Sequence, residues 1–269
     1  MIISASRRSD IPAFHSTWFM EQLRRGQVEV QNPFRPTQVR TVSLKRQDVD
    51  AFVFWSRDPR PLLPYLPEID RGGFPYYFLI TATGYPRQLE PAVPSPEEVV
   101  GFFSALTAAI GRRRVIWRYD PVIFTAATAF AFHVDNFSNL VQLLSPFTSR
   151  VIVSFFDPYP KAMRRLRQAG IDAGMAAGSP EQQGDLIRCF AAAAAASGLE
   201  IQSCAEAAIA AEVTAGKCID EKLLNELFSL DLSYRKDPAQ RPLCLCRQSV
   251  DIGSYNTCCY GCLYCYACG

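Results

Sequence analysis

The feature that most constrains the fold of this chain is an alternation of short apolar segments with helical segments, which is regular from residue 51 onward. Apolar runs that predict buried strands occupy residues 2–6, 51–55, 76–81, 115–121, 151–156 and 199–203. Two of the intervening helices begin with capping boxes, at Ser95 and Ser179. Because such alternation pairs strands in parallel through right-handed crossovers, the sequence predicts an α/β fold. We interpret it as a single (β/α) barrel that is incomplete, with about six strands.

One segment departs from this alternation. Two stretches of alternating apolar and polar residues flank an Asn-Pro-Phe-Arg-Pro turn at residues 32–36, which predicts a β-hairpin insertion near residues 27–44. Since no linker or internal repeat divides the chain, we expect the barrel to occupy residues 1–242. The cysteine-rich segment 243–269 is predicted to pack on the face where the carboxyl ends of the strands meet.

Composition excludes several classes of protein. Hydrophobic residues make up 49% of the 269-residue chain and charged residues 20%, so a large core is expected and disorder is not. The net charge of +2 and the scattered basic pairs give no support for nucleic acid as a partner. The amino-terminal residues do not form a signal peptide, and no apolar run of about 18 residues is present. Ten cysteines in such a chain predict a cytoplasmic metal or redox protein without a membrane partner.

The last dozen residues carry the clearest chemical signal. Cys258, Cys262 and Cys265 have the spacing C-x3-C-x2-C. Three thiolates on one short loop can hold three irons of a four-iron cluster, which leaves one iron without a protein ligand. Structural zinc with Cys268 as a further ligand is an alternative, but zinc sites usually pair two C-x2-4-C halves, and this spacing fits that poorly. Disulfides are less favoured, because an intracellular protein keeps its thiols reduced.

The same spacing, in the wording Gly-Cys-Leu-Tyr-Cys-Tyr-Ala, resembles the signature of radical S-adenosylmethionine (SAM) enzymes. The resemblance implies a [4Fe-4S] cluster on the three cysteines, with SAM bound to the open iron. It implies cleavage of SAM to a 5'-deoxyadenosyl radical, which abstracts hydrogen from a substrate. The substrate is a small molecule or a compound of unknown class. It also implies a radical-SAM-like barrel with the cluster loop permuted to the carboxyl terminus, and an electron donor such as flavodoxin or ferredoxin. Tyr264 would pack near the adenine of SAM.

A wider resemblance rests on several short phrases. They are Ser-Ala-Ser-Arg-Arg-Ser-Asp-Ile-Pro, Phe-Trp-Ser-Arg-Asp-Pro, Leu-Ile-Thr-Ala-Thr-Gly-Tyr, Trp-Arg-Tyr-Asp-Pro and Asp-Ile-Gly-Ser-Tyr-Asn-Thr-Cys. Together they resemble an uncharacterised bacterial family with a radical-SAM-like cysteine cluster at its carboxyl end, over nearly the whole chain. Residues 54–61 and 117–121 are also similar to the spore photoproduct lyase and DNA repair photolyase-like branch. That likeness implies repair of nucleic-acid lesions as a narrower alternative.

Polar residues recur after the predicted strands, where the active sites of (β/α) barrels lie. Arg118 and Asp120 are candidate catalytic residues, since the planar fork of an arginine pairs two oxygens of a carboxylate or phosphate. Asp120 would bond a ribose hydroxyl or hold Arg118. Thr81, Thr83 and Ser154 are predicted to contact SAM or substrate.

Four further cysteines, Cys204, Cys218, Cys244 and Cys246, lie on predicted loops that converge at one end of the barrel. They could complete a second iron–sulfur cluster, form a zinc site or remain unliganded. The chain has only two histidines, far apart in sequence, so a histidine-based hydrolase is disfavoured. A non-catalytic iron–sulfur or zinc protein, for electron transfer or for structure, stays open as the second functional class.

Overall fold

A computed structural model describes residues 1–172, 174, 176–206, 209 and 211–268. Its main feature is an eight-stranded sheet in which every pair of neighbours is parallel. The strands of the chain are β1 Ile2–Ala5, β2 Gln27–Asn32, β3 Arg35–Ser43, β4 Ala51–Ser56, β5 Tyr76–Thr81, β6 Val115–Val122, β7 Arg150–Phe155, β8 Glu200–Ser203, β9 Thr214–Ala215 and β10 Val250–Asp251. The sheet has the order β10-β1-β4-β5-β6-β7-β8-β9. The predicted α/β, barrel-like fold is thus confirmed: the six predicted strands are the inner six, and a two-residue strand is added at each end.

Helices separate most of the strands. They are α1 Ile11–Phe14, α2 Ser16–Arg25, α3 Leu66–Arg71, α4 Pro96–Ile110, α5 Phe130–Leu144, α6 Pro160–Gln168, α7 Pro180–Ala196 and α8 Glu221–Phe228, with 3₁₀ turns at Leu63–Tyr65 and Arg112–Arg114. Both predicted capping boxes are present, Ser95 with Glu98 and Ser179 with Gln182. Within the described residues, the helices are too short or too polar for any of them to cross a lipid bilayer.

The two faces of the sheet bury different residues, because successive side chains of a strand point to opposite sides. Phe52 and Phe54 of β4 belong to the larger core, which the helices α4, α5 and α7 help to form. Val53, between them, belongs to a second core that also contains Cys204, Cys218, Cys244 and Cys246. The face opposite α4, α5 and α7, on which α8 packs, therefore carries thiol groups that the larger core does not.

The predicted hairpin is formed by β2 and β3, which pair antiparallel. Phe34 lies at its tip, with 91% of its surface exposed. Near the other end of the chain, β10 pairs with β1. The side chain of Asp251 accepts hydrogen bonds from the hydroxyls of Ser4 at 2.9 Å and Ser6 at 2.8 Å. The segment that leads to the cysteine loop is therefore part of the main sheet.

Candidate functional site

A cavity of about 530 Å³ lies at the carboxyl ends of the strands. Residues from the ends of five neighbouring strands contribute to its wall: Ser6, Ser56, Thr81, Asp120 and Ser154. This is the face on which a parallel sheet gathers the loops that can carry chemistry.

The cysteine loop covers one side of this cavity. Cys258, Cys262 and Cys265 all line it, and Cys262 is the most buried of the three, with 7% of its surface exposed. The backbone of the loop is docked on the barrel, since the amide of Leu263 donates to the carbonyl of Leu89 at 3.0 Å. The structure thus brings the three cysteines to the same cavity as Arg118 and Thr81, the arrangement that the permuted-loop hypothesis requires.

Arg165 of α6 holds the cysteine loop through the loop's backbone carbonyls. Its Nη2 atom donates to the carbonyl oxygens of Cys262 at 2.7 Å, Leu263 at 3.1 Å and Cys265 at 2.6 Å. Three carbonyls on one guanidinium fix the curvature of the loop and place a positive charge beneath the thiols. Sequence analysis missed Arg165, because a basic residue in an amphipathic helix resembles any solvent-facing charge.

Tyr264 is fixed by a second buried arginine. The Nη2 atom of Arg57 donates to the Tyr264 hydroxyl at 2.6 Å, and that hydroxyl in turn donates to Glu90. Arg57 and Glu90 form an ion pair with an Nη1–Oε1 distance of 3.0 Å. Burial, more than any other cause, raises the pKa of Tyr264 well above its usual value, so the phenol stays protonated. From the sequence, Arg57 is only one of several polar residues that follow predicted strands, and Glu90 carries no signal.

The predicted threonines behave differently from each other. Thr81 lines the cavity and lies 3.4 Å from Nη1 of Arg118. Thr83 is fully buried, is absent from the cavity wall, and donates its hydroxyl to Glu90 at 2.5 Å. Thr83 therefore supports the residues that hold Tyr264 and does not face the cavity.

Arg118, Asp120 and Ser154 form one hydrogen-bonded group. Asp120 accepts from both the guanidinium of Arg118 and the hydroxyl of Ser154. The guanidinium also lies over the Trp55 ring, 4.8 Å from its centroid. Burial raises the pKa of Asp120 in spite of the attraction of Arg118, which acts in the opposite direction. Of its two predicted roles, Asp120 fills that of holding Arg118.

Three hydrogen-bond donors on this wall have no partner among the described residues. In the described part of the chain, Nε of Arg118 and Nη2 of Arg7 are buried without a hydrogen-bond partner, and so is the indole nitrogen of Trp55. The guanidinium of Arg7 lies 5.3 Å from the centroid of the same Trp55 ring. Because an unpaired buried donor is costly, these three groups are suited to a ligand that carries hydrogen-bond acceptors.

The thiols themselves are free. No cysteine among the described residues is disulfide-bonded, and no three Cys, His, Asp or Glu side chains there are already arranged to hold a metal ion. Cys204, Cys218, Cys244 and Cys246 line the same cavity as the loop cysteines. The thiol of Cys268 interacts with those of Cys258 and Cys265, although Cys268 does not line the cavity. Metal binding therefore has to be argued from the donor set and its surroundings.

Comparison with known proteins places the chain in one family. It belongs to the family described as "Domain of unknown function (DUF1848)", which matches residues 2–267. No curated protein matches the chain. The predicted membership of an uncharacterised family over nearly the whole chain is therefore confirmed. The family description names neither SAM nor iron–sulfur clusters.

Proposed function

We propose that this member of the DUF1848 family is a radical SAM enzyme. Cys258, Cys262 and Cys265 would bind a [4Fe-4S] cluster, and the enzyme would cleave SAM reductively to start hydrogen abstraction from a substrate. The observation that carries the proposal is that all three thiols of the C-x3-C-x2-C loop line the cavity at the carboxyl ends of the strands. A three-thiolate loop leaves one iron corner for a non-protein ligand, and the cavity provides the room for it.

The residues around the loop fit such a cluster. Burial raises the pKa of Cys262 to about 12, while the positive charge of Arg57 lowers it. The thiol is therefore protonated without metal, and cluster binding would release that proton. Arg57 and Arg165 place two guanidinium groups beside the loop, and positive charge favours bound thiolates. When bound, the cluster would supply the electron that cleaves SAM.

The remaining cavity residues would bind and orient SAM. The Tyr264 ring is held by Arg57 and Glu90 and packs edge-on to Tyr85, with centroids 6.0 Å apart. A ring held in this way offers a fixed surface for the adenine. Arg118, steadied by Asp120 and Thr81, keeps an unpaired N–H for a carboxylate or phosphate oxygen.

One observation favours the second candidate, a non-catalytic iron–sulfur protein. The thiol of Cys268 interacts with those of Cys258 and Cys265, so it is available as a fourth protein ligand. A cluster with four thiolates would have no open corner. SAM would then leave its spectrum unchanged.

The test is anaerobic reconstitution of the protein with iron and sulfide, reduction, and addition of SAM. We expect 5'-deoxyadenosine and methionine to appear, and the Cys262→Ala variant to produce neither. Cys189→Ser is the matched control, because Cys189 is an exposed cysteine outside both cysteine groups, and it should behave as the wild type. Failure of an intact, reduced loop cluster to release 5'-deoxyadenosine would reject the proposal and favour the non-catalytic reading.

A further inference from the structure

Four cysteines that the proposed function does not use are buried together on the cavity wall. Cys204 follows β8 directly, Cys218 lies three residues after β9, and Cys244 and Cys246 precede β10. Each has at most 7% of its surface exposed, and all four belong to one buried cluster. A single buried cysteine usually packs as a small hydrophobic residue. Four from three separate parts of the chain, meeting at one place, indicate a shared ligand.

The four cysteines are neighbours in one buried core and face one cavity, and Cys218 and Cys244 act on the thiols of both Cys204 and Cys246. The backbone fixes this arrangement, since the amide of Arg247 donates to the carbonyl of Ile219 at 3.1 Å and joins the Cys246 and Cys218 segments. None of the four is in a disulfide. A metal centre bound by these four residues would replace their thiol protons.

The surroundings suit negatively charged thiolates. The amide of Ile219 donates to the sulfur of Cys246 at 3.5 Å. The guanidinium of Arg241 lies 3.8 Å from the sulfur of Cys204 and donates to its carbonyl at 3.1 Å. Arg7 is close enough to act electrostatically on Cys246 and Cys218, and Arg118 on Cys218 and Cys204. N–H groups and cations around the sulfurs are the outer shell that tunes a thiolate-bound metal.

We infer that Cys204, Cys218, Cys244 and Cys246 ligate a second iron–sulfur cluster, on the wall of the same cavity that the C-x3-C-x2-C loop lines. Four thiolates would fill every corner, so this cluster would have no open iron. Zinc is the other metal that four thiolates bind, but structural zinc sites usually pair two C-x2-4-C halves. Here the only close pair is Cys244-x-Cys246, and the other two ligands stand alone.

The test separates the two cysteine groups by mutation. Wild-type protein reconstituted anaerobically should contain about eight iron and eight sulfide per chain, since each four-iron cluster holds about four of each. The triple variant Cys258→Ala, Cys262→Ala and Cys265→Ala should retain about half of both, and so should the double variant Cys204→Ser and Cys218→Ser. Combining all five substitutions should remove iron altogether. Cys189→Ser is again the control and should keep the full content.

The outcome does not depend on release of 5'-deoxyadenosine, so it can fail or succeed separately from the proposed function. Loss of all iron in the folded triple variant would overturn the inference, as would recovery of zinc in its place. Circular dichroism and thermal unfolding show whether each variant is folded. If the triple variant does not fold, wild-type protein decides: the reduced protein should show two sets of electron paramagnetic resonance signals, of which SAM changes one. About four iron per wild-type chain and a single signal would reject the second cluster.

Discussion

The guanidinium of Arg57 lies 2.6 Å from the hydroxyl of Tyr264, a contact that joins residues 207 positions apart in sequence. It connects the end of β4 to the cysteine loop. Because Glu90 contacts both residues, an aromatic ring of the loop is held in one orientation at the cavity wall.

This contact allows the ring and the hydroxyl of Tyr264 to be tested apart. Tyr264→Ala removes both, and we expect SAM affinity to fall about tenfold or more, since stacking on an aromatic ring is worth roughly 1–3 kcal/mol per base. Tyr264→Phe keeps the ring and should bind SAM nearly as wild type. Its free energy of unfolding should fall by about 1–3 kcal/mol, because Glu90 and Arg57 lose a buried partner. Equilibrium dialysis and urea unfolding measure the two quantities. Unchanged SAM binding by Tyr264→Ala would show that the ring only packs against neighbouring residues and does not contact SAM.

Cys268→Ala distinguishes a three-thiolate cluster from a four-thiolate one. If Cys268 is not a ligand, the variant should keep its loop cluster and release 5'-deoxyadenosine within about twofold of wild type. Its position beside Cys258 and Cys265 makes this a demanding test. Loss of the cluster in the variant would identify Cys268 as the fourth ligand. Cys259→Ala, an exposed neighbour, is the matched control.

Arg165→Gln should loosen the cysteine loop, because the carbonyls of Cys262, Leu263 and Cys265 all lose their bond to one side chain. We expect iron at the loop to fall by more than half, while iron at the four-cysteine group is retained. Arg165→Lys should restore part of the loss, since all three bonds come from one nitrogen and an ammonium keeps the charge and three N–H donors. Arg164→Gln changes an exposed arginine of the same helix and should have no effect. Equal iron content in the Arg164 and Arg165 variants would contradict the role of Arg165 in holding the cysteine loop.

The buried position of His133 predicts that the free energy of unfolding falls in mild acid. The side chain is buried, with Nδ1 3.0 Å from the Tyr119 hydroxyl and Nε2 3.1 Å from the Ile123 carbonyl, and burial lowers its pKa to about 4. Since the unfolded histidine titrates near 6.5, the unfolded state binds the extra proton first as pH falls. The contribution of neutral His133 to the free energy of unfolding is complete above about pH 6.5 and is lost progressively toward pH 4. The loss between pH 7 and pH 5 is roughly 2 kcal/mol.

A nuclear magnetic resonance titration of the folded protein checks this directly. The resonance that disappears in a His133→Gln variant should show no titration between pH 7 and pH 5. A titration midpoint near pH 6.5 for that resonance would contradict the predicted pH dependence of stability.

Gly253 should tolerate no side chain. A Cβ atom built on it would overlap the hydroxyl of Ser6, which is itself bonded to Asp251. Gly253→Ala should therefore lower the free energy of unfolding by about 1–3 kcal/mol, the usual cost of overpacking, and disturb the approach to the cysteine loop. Gly101→Ala in α4, where nothing lies within 4 Å of the added atom, should be neutral or stabilising by up to about 1 kcal/mol. Urea unfolding of the two variants measures both effects.

The sequence predicted most of the sheet because a buried parallel strand is a continuous apolar run, as in Tyr76–Thr81. It did not predict β9 and β10, since two residues carry no pattern. Thr83 was grouped with Thr81 because both are polar residues at the end of a predicted strand. Strand β5 ends at Thr81, so the alternation stops there and Thr83 turns toward Glu90.

The cysteine loop could be identified from its spacing alone, because one loop supplies all three thiols. The roles of Arg57, Glu90 and Arg165 could not be predicted, since each acts through partners that are distant in sequence. Arg118 could be predicted because it is a charged residue in the middle of a predicted strand that begins with an apolar run.

The bond between Ser4 and Asp251 spans 247 positions of sequence, which has a consequence for synthesis. On the ribosome, β1 is made before the other strands of the sheet, yet one of its edges has no partner until β10 has emerged. Contacts of such long range form late, because the intervening chain must first be ordered. Cys204 and Cys218 are made before that closure, whereas Cys258, Cys262 and Cys265 follow it. A nascent chain can therefore assemble most of the sheet before the loop cysteines exist. Under the proposed function, iron would be loaded on that loop after the barrel has folded.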